Sequence, residues 1–537
     1  MENHERNIRT LLLEIRDKIG KPVSNRVVRA AIESCGIREK DTPIDFGFTS
    51  IKNLADYIFK ELCFAEEHKG AKNIKERESG SLSPRFIQIS DYLWVKAKIF
   101  AQYYPLGIFH LFPVFIQITS IIIFGYSLWT FIGFNQAQST AVVLGVIIGL
   151  IITGGFVQVI GRQASFYWNH EDYIMTRQTI NYLLKVGSIN LVIVLFAFFA
   201  LNSVFYVYPF GILIIASIYA FLIGLLLLVL APFHTIKQRW VISFAIFLGT
   251  AVSILLKTQT EIMVYFTHWI GIGIAIIISK IFLVLFFKKF LAHQKHNLKP
   301  KVKTTVILYH NYQYFCYGLF LYIFIFIDRI LAWSSTINGP LPFVIYFNKN
   351  YELGMDAAIL VLLLLSGVLE YGIASFSKFL DIGEKNTSYK SSEIFNRQLI
   401  NLYWQQIILL FLTGIIIFGL FYILINVSWG FAAYLKESMN DVILTVGIIG
   451  GLGYFFLAWG MLNTLYLFTL GQPSKPLKAI VLSCILNLIV GFIFSRFVGY
   501  DYSVFGMLCG SVLFLVLTLK ANIDFLKKLD YYYYAAY

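Results

Sequence analysis

Long apolar runs follow one another through most of this chain, beginning at residue 105. Twelve of these runs come near the roughly 20 apolar residues that one helix needs to cross a bilayer. Only 14% of all residues are charged, whereas about a quarter are charged in a soluble globular protein. The sequence therefore predicts an all-α polytopic membrane protein with twelve transmembrane helices, and it excludes a soluble enzyme of this length.

The predicted spans fall into two groups of six, on either side of the basic segment 291–305. This division predicts two six-helix bundles, residues 104–290 and residues 306–525, because duplicated halves are common in membrane transporters. The spans are residues 105–132, 138–161, 180–206, 208–232, 239–257, 262–287, 306–333, 355–379, 402–427, 440–470, 476–498 and 502–523.

Basic residues lie in alternate loops between these spans. They are concentrated in residues 234–239, 288–303, 472–478 and 519–530, while the other loops are short and nearly uncharged. Lys and Arg mark the cytoplasmic side of membrane proteins. We therefore expect a multi-pass protein of the bacterial inner membrane with both termini in the cytoplasm, ending in a cytoplasmic tail of residues 526–537.

The first 103 residues differ from the rest in composition. Residues 1–80 predict a small helical cytoplasmic domain of three helices, in which Ser24 and Ser50 precede the second and third helix as N-caps. Residues 81–103 predict a polar linker that leads into an amphipathic helix on the membrane surface. We expect the small domain to dock another protein.

Motifs for catalysis and for cofactor binding are absent from the sequence. The five cysteines show no metal-ligand spacing, and neither a nucleotide-binding loop nor a nucleophile motif occurs. The net charge of +14 gathers in the loops, which indicates membrane orientation rather than nucleic-acid binding. We therefore expect no enzyme activity, no metal, no cofactor and no nucleic-acid partner.

Ionisable residues within apolar runs are the candidate functional residues, because charge inside a bilayer is costly. Asp328 and Arg329 are neighbours in the seventh span, Glu370 lies in the eighth, Lys280 in the sixth, and Arg162 at the end of the second. Glu370 either faces a water-filled cavity or belongs to a structural ion pair. Neighbouring helical residues point about 100° apart, so we expect one member of the 328–329 pair to face inward and the arginine to reach the membrane surface.

Two aromatic residues are further candidates for a substrate path. Tyr317 ends a Tyr-rich run and Trp459 lies in the tenth span. Aromatic rings stack on sugar faces, but they also pack in ordinary membrane cores. The sequence alone does not decide between sugar binding and core packing for these two residues.

Four stretches of the chain resemble one family of membrane proteins. They are GLFLYIFIFIDRILAWSS, YFNKNYELGMDAAIL, GGFVQVIGRQASFYW and LKKLDYYYYAAY. The stretches resemble the PelG family, the membrane subunit of Pel-type exopolysaccharide export, within the multidrug/oligosaccharidyl-lipid/polysaccharide (MOP) flippase superfamily. The matching positions are Gln158 and Arg162 in the second span and Gly318, Asp328, Arg329 and Trp333 in the seventh.

The resemblance covers roughly residues 104–537 and implies a transporter that moves an exopolysaccharide or a lipid-linked oligosaccharide across the inner membrane. It further implies a cytoplasmic glycosyltransferase and other membrane subunits as partners. The family usually begins almost directly at its first span, so the additional residues 1–103 leave the partner arrangement open. Two alternatives remain, an ion-coupled small-molecule antiporter of the multidrug type and a membrane scaffold for a glycosyltransferase.

Overall fold

A computed structural model describes residues 2–19, 22, 24–73, 89–109, 112–291, 304–337, 339–386, 392–427, 440–529 and 531–532. The predicted polar linker, most of the basic segment 291–305 and the last residues of the tail lie outside the described residues.

The described residues are folded mainly into α-helices, which we number in chain order. They are α1 (Glu2–Ile19), α2 (Asn25–Ser34), α3 (Ile51–Asn73), α4 (Ile89–Phe109), α5 (Phe112–Phe124), α6 (Gln136–Asn169), α7 (Tyr173–Phe205), α8 (Phe210–Thr235), α9 (Trp240–Gln259), α10 (Val264–Leu291), α11 (Thr304–Trp333), α12 (Lys349–Asn386), α13 (Ser392–Asn426), α14 (Asp441–Thr469), α15 (Ser474–Phe497) and α16 (Val504–Leu526).

The small N-terminal domain consists of α1, α2 and α3 around one apolar core. Ile15, Val28, Ile32, Leu54 and Ile58 are buried there, because each helix repeats apolar residues every three or four positions. This spacing gives each helix one apolar face that can be buried only against the other two.

The N-terminal domain contacts the C-terminal end of the membrane region. Arg26 Nη1 donates a hydrogen bond to the carbonyl of Lys527 over 3.1 Å. The Tyr531 hydroxyl donates one to Glu33 Oε2 over 2.6 Å. The domain is therefore held where α16 ends.

Among the described residues, the eleven helices α6 to α16 are long and apolar enough to cross a membrane. Helices α4 and α5 lie at 44° to one another on either side of residues 110–111 and count as a twelfth crossing if the bent pair is one span. The protein is therefore a multi-pass membrane protein with eleven or twelve spans.

The two parts of the first crossing attach to different halves of the protein. On α4, the carbonyl of Gly107 accepts a hydrogen bond from Ser366 Oγ of α12 over 3.1 Å. On α5, Gln117 Nε2 donates to Thr250 Oγ1 of α9 over 2.8 Å. We therefore assign α5 to α10 to the first half and α11 to α16 to the second half, with α4 packed on the second half.

The predicted end of the first span, residue 132, is wrong. Helix α5 ends at Phe124, because Gly125 follows with a φ of +65°, a left-handed conformation that commonly ends helices. The predicted surface helix is the beginning of α4, which continues to Phe109 and packs against α12. The first crossing is therefore shifted toward the N-terminus of its apolar run.

The two halves contact each other most closely where α6 meets α11. A Cβ atom added at Gly318 would lie only 2.6 Å from the carbonyl oxygen of Gly154, so both positions need a residue without a side chain. Small residues allow membrane helices to approach closely. We call the end of the bundle with residues 236–239 and the end of α16 the basic end, and the end with residues 206–209 and 334–348 the neutral end.

Candidate functional site

Helix α12 carries three carboxylates along one face. Glu352 and Glu370 are 18 residues apart, which is five turns of an α-helix, so their side chains leave the helix in the same direction. Asp356 lies one turn after Glu352 on nearly the same stripe. The stripe therefore places acidic groups near both ends of the membrane region, two toward the neutral end and one toward the basic end.

Asp328 is fully buried near the neutral end, between α11, α12 and the turn before α16. Its Oδ2 accepts a hydrogen bond from the Tyr351 hydroxyl over 2.7 Å. Its backbone carbonyl accepts a second bond from Ser503 Oγ over 3.1 Å. These contacts fix the carboxylate inside the second half.

Arg329 lies beside it and pairs with the acidic stripe of α12. Its Nη1 donates to Glu352 Oε1 in a short ion pair, and it lies 3.7 Å from Asp356 Oδ1. Arg329 is the one cation among the three carboxylates of Asp328, Glu352 and Asp356, so the four groups together carry a formal charge of −2 when all are ionised. We call these four residues the acidic cluster.

Several buried polar atoms of the acidic cluster have no hydrogen-bond partner among the described residues. They are Asp328 Oδ1, Glu352 Oε2 and Arg329 Nε and Nη2. A buried polar atom without a partner costs free energy. The cluster therefore has unused capacity to bind water, a cation or a polar substrate.

The expectation that Arg329 reaches the membrane surface is wrong. Arg329 is only 4% exposed, because Glu352 and Asp356 supply the opposite charge inside the second half. Neither acid was among the predicted site residues: Glu352 lies before residue 355, where the eighth span was predicted to begin, whereas α12 begins at Lys349, and Asp356 is only the second residue of that predicted span. Their four-residue spacing was the signal that could have revealed them.

Glu370 forms an ion pair across the two halves near the basic end. Arg239, the residue before α9, places Nη2 2.6 Å from Glu370 Oε1. The two side chains are 17% and 26% exposed, so water screens the pair only in part. From the sequence, Arg239 belongs to the basic loop of residues 234–239, and nothing there indicates its partner.

Three other predicted residues lie where α6 meets α11. The Cβ of Gln158 lies 2.9 Å from where a Cβ on Gly318 would stand, and the guanidinium of Arg162 lies 5.5 Å from the ring centre of Tyr314. Tyr317 is buried against Phe468, with ring centres 5.0 Å apart. Gln158 and Arg162 therefore join the two halves, whereas Tyr317 packs inside the second half, and all three lie at a distance from the acidic cluster.

Lys280 and Trp459 are not brought to the acidic cluster. Lys280 lies on the exposed face of α10 in the first half. Trp459 lies inside the second half, where its indole N–H donates to the Tyr403 hydroxyl over 3.2 Å. In the part of the chain that the structure describes, no three His, Cys, Asp or Glu side chains meet in an arrangement for a metal ion.

No known family profile and no curated protein matches the sequence. The structure, however, is similar to solved MATE transporters. A variant of a Vibrio cholerae MATE transporter has a TM-score of 0.58 at 13% identity, over 82% of this chain and 99% of that one. Outward-facing and inward-facing structures of a multidrug resistance MATE transporter of the MOP superfamily follow, with TM-scores of 0.55 and 0.54 and 14% identity each.

These two similarities cover 81% and 80% of this chain and 97% and 99% of the other chains. Identities this low show the fold alone. The predicted fold class is confirmed, because the described chain is a helical membrane protein with two bundles arranged as in MATE transporters.

Proposed function

We propose that this chain, given its MATE-like fold, is an inner-membrane transporter that moves an exopolysaccharide or a lipid-linked oligosaccharide by alternating access. The fold supports a transporter, and the resemblance of residues 104–537 to the PelG family supports the polymer. In this proposal the basic end faces the cytoplasm, in agreement with the distribution of Lys and Arg.

The Arg239–Glu370 ion pair is the observation that carries the proposal. Alternating access requires contacts between two bundles that close one end and can be broken. At the basic end, the halves are held by this pair and by contacts of α6 with α11, where Asn311 Nδ2 donates to Gln163 Oε1 over 2.8 Å. A partly exposed pair suits this role, since its free energy is small enough to be reversed by a bound substrate.

In this proposal the acidic stripe of α12 lines the path of the substrate and supplies the groups that bind it. Carboxylates accept hydrogen bonds from hydroxyl groups and attract amines. Asp356 is exposed while its neighbour Glu352 is buried, so Asp356 is the carboxylate available to a passing sugar. The hydroxyl groups of a sugar chain would replace water at each carboxylate of this stripe in turn.

The N-terminal domain supplies a docking place at the cytoplasmic side. It lies at the end of α16, where a cytoplasmic glycosyltransferase would deliver its product. Other membrane subunits of an export complex and the lipid bilayer complete the expected partners. No cofactor takes part in this proposal.

The test measures extracellular and cytoplasmic polymer in a strain that lacks this chain but keeps the synthesis genes. The strain is supplied in turn with the wild-type chain, with Asp356→Asn, or with the matched control Asp441→Asn at the first residue of α14. We expect the wild type and the control to restore surface polymer, and Asp356→Asn to leave polymer inside. Normal surface polymer without this chain would contradict export.

The charge of the acidic cluster favours a second function, a cation-coupled antiporter for small molecules. Three carboxylates against one guanidinium leave a formal charge of −2, which a bound proton or another cation would reduce. The discriminating experiment follows the pH inside proteoliposomes while candidate cationic substrates are added. Substrate-driven proton movement that Asp356→Asn abolishes, together with normal polymer export, would favour the antiporter.

A further inference from the structure

An apolar cavity lies in the first half, away from the acidic cluster. It has a volume of about 370 Å³ and is bounded by α6, α7, α8 and the loop of the second half at Ile345. Ligand sites in proteins commonly have volumes of about 300–1,000 Å³ and mainly apolar walls. The cavity is therefore large enough for a ligand, and none of the functions considered above uses it.

The wall of the cavity is almost purely hydrocarbon. Its deep part is formed by Leu195 of α7 and by Ala216 and Ala220 of α8, which are buried. Its mouth is formed by Leu201 and Phe205 of α7, which are 53% and 68% exposed on the surface that would face lipid. The cavity therefore opens sideways, toward the membrane.

The depth of the cavity matches one leaflet. Its wall on α7 runs from Phe205 back to Leu195, ten residues that span about 15 Å at 1.5 Å per residue. The hydrocarbon core of a bilayer is about 30 Å thick, so one leaflet contributes about 15 Å. An alkyl chain that enters at the neutral end would extend along this length.

The polar groups at the roof of the cavity are already paired. Asn202 Nδ2 donates to the carbonyl of Tyr208 over 3.0 Å, and Asn202 Oδ1 accepts from the Tyr208 N–H over 2.9 Å. The Tyr208 hydroxyl donates to the carbonyl of Ile345 over 2.9 Å. None of the residues lining the cavity is charged, so nothing in its wall would hold a phosphate or pyrophosphate.

We propose that this cavity binds one straight acyl chain of a phospholipid, which enters between α7 and α8 from the leaflet at the neutral end. The occupant is held by its chain alone, since the wall offers apolar contact and no charged group. Because Ile345 of the second half forms part of the wall, the bound chain touches both halves. Helix α7 lies at the periphery of the first half, since a smaller share of its apolar residues is buried than of those of α8, so lipid can reach the cavity beside it.

The test uses the full chain in vesicles of phosphatidylethanolamine and phosphatidylglycerol that include a phospholipid with a diazirine in one acyl chain. After irradiation, the labelled residues are mapped by mass spectrometry. We expect label on the buried residues Leu195, Ala216 and Ala220, which ordinary surrounding lipid does not reach. Label confined to exposed residues such as Phe196 would overturn the proposal.

Two variants make the experiment specific. Ala216→Phe fills the cavity and should abolish the label on Leu195, whereas Ala200→Phe, on the exposed opposite side of α7, should leave it unchanged. Leu213→Phe fills the same cavity from a position on α8 about one turn nearer the neutral end, and it replaces Ala216→Phe if that variant does not fold. Unchanged labelling of Leu195 in a folded filling variant would refute the site.

A competitor identifies the source of the chain. Unlabelled phospholipid should reduce the label on Leu195, and a polyprenyl phosphate at the same concentration should reduce it less. Displacement by the polyprenyl phosphate alone would overturn the assignment to phospholipid and would point instead to the anchor of a lipid-linked substrate. This outcome does not depend on polymer export, so it separates the lipid site from the proposed function.

Discussion

The two halves of the molecule have similar helical frames but different polar interiors. The first half buries neutral groups that satisfy one another, for example Gln117 with Thr250 over 2.8 Å and Tyr219 with His268 over 2.6 Å. The second half buries Asp328, and it buries Arg329 against carboxylates of α12.

This difference shows that buried charge is concentrated in the second half. Neutral hydrogen-bonded pairs can be buried at modest cost, whereas buried ion pairs carry a large desolvation penalty. Charged groups in membrane segments are therefore commonly functional. We therefore propose that substrate and cation chemistry belong to the second half, and that the interior of the first half has a mainly structural role.

The largest expected effect comes from removing the cation of the acidic cluster. Arg329→Met leaves the carboxylates of Asp328, Glu352 and Asp356 without a counter-charge, so it should lower the free energy of unfolding by about 3–5 kcal/mol. Chemical denaturation in mild detergent measures this loss. The matched control is Arg496→Met at the same end of the second half, which is half-buried and should cost much less.

An Arg329→Met variant as stable as the wild type would contradict the difference in buried charge between the two halves. It would mean that the carboxylates take up protons when the guanidinium is removed, so that the interior of this variant's second half is as neutral as that of the first. In that case the second half would differ in its residue types but not in its charge.

The ion pair between the halves should have the next largest effect. A double-mutant cycle with Arg239→Ala and Glu370→Ala should give a coupling free energy of about 1.5–3 kcal/mol, as for hydrogen bonds to charged groups. The cycle isolates this pair from any other contact of either residue. The exposed pair of Arg38 and Asp41 serves as control and should show far weaker coupling.

The same ion pair also predicts a change in access. Glu370→Gln removes the charge with little change of shape, so it should open the basic end more often. A cysteine introduced at Ser366, where α12 meets α4, should then react faster with a polar maleimide added from that side. An unchanged labelling rate would show that the pair does not hold this end closed.

A change inside the first half should affect stability without affecting transport. Gln117→Leu leaves the buried backbone N–H of Leu128 without its acceptor and removes the hydrogen bond that Thr250 accepts, so it should cost about 1–3 kcal/mol. The measurement combines the free energy of unfolding with export or antiport. Gln313→Leu, on an exposed face of α11, is the control. Loss of transport in a stable Gln117→Leu variant would assign function to the first half.

The smallest effect concerns the N-terminal domain. Burial, together with the hydrogen bond to Glu33, raises the pKa of Tyr531 to about 12. The neutral phenol is therefore favoured in the docked state, and this contribution is complete below pH of about 10, the ordinary tyrosine pKa. It is lost as the pH rises through about 12.

The phenolate absorbance of the wild type minus that of Tyr531→Phe should follow this titration. Glu33→Gln should move the midpoint only part of the way down, since burial is the larger cause. The variant Tyr531→Phe itself should weaken docking by about 0.5–1.5 kcal/mol, the value of an ordinary hydrogen bond. A midpoint at the ordinary tyrosine pKa would show that the domain is not docked.

Most of the membrane frame could be predicted from the sequence, because an apolar run of sufficient length has few alternatives to a crossing helix. The third span was predicted at residues 180–206, and α7 covers Tyr173–Phe205. Helix ends were less accurate, because helices continue beyond the apolar run. This is how Glu352, in the first turn of α12, was assigned to a loop.

Part of the candidate site could also be predicted, since Asp328, Arg329 and Glu370 are conspicuous within apolar runs. The partners of these residues could not be predicted from the sequence. Arg239 and Glu370 are 131 positions apart, and periodicity carries no information on contacts at that distance. Lys280 and Trp459 were equally conspicuous, yet they point away from the acidic cluster, because hydropathy does not reveal which helix faces meet.

The two parts of the first crossing, α4 and α5, pack on different halves of the protein, and this has a consequence for biosynthesis. Helix α4 packs on α12, which begins 240 residues after α4 ends, while α5 packs on α9 of the first half. A ribosome that has completed the first six crossings has therefore not yet made the surface on which α4 rests. Helix α4 therefore has no packing surface until α12, the eighth crossing, has been inserted.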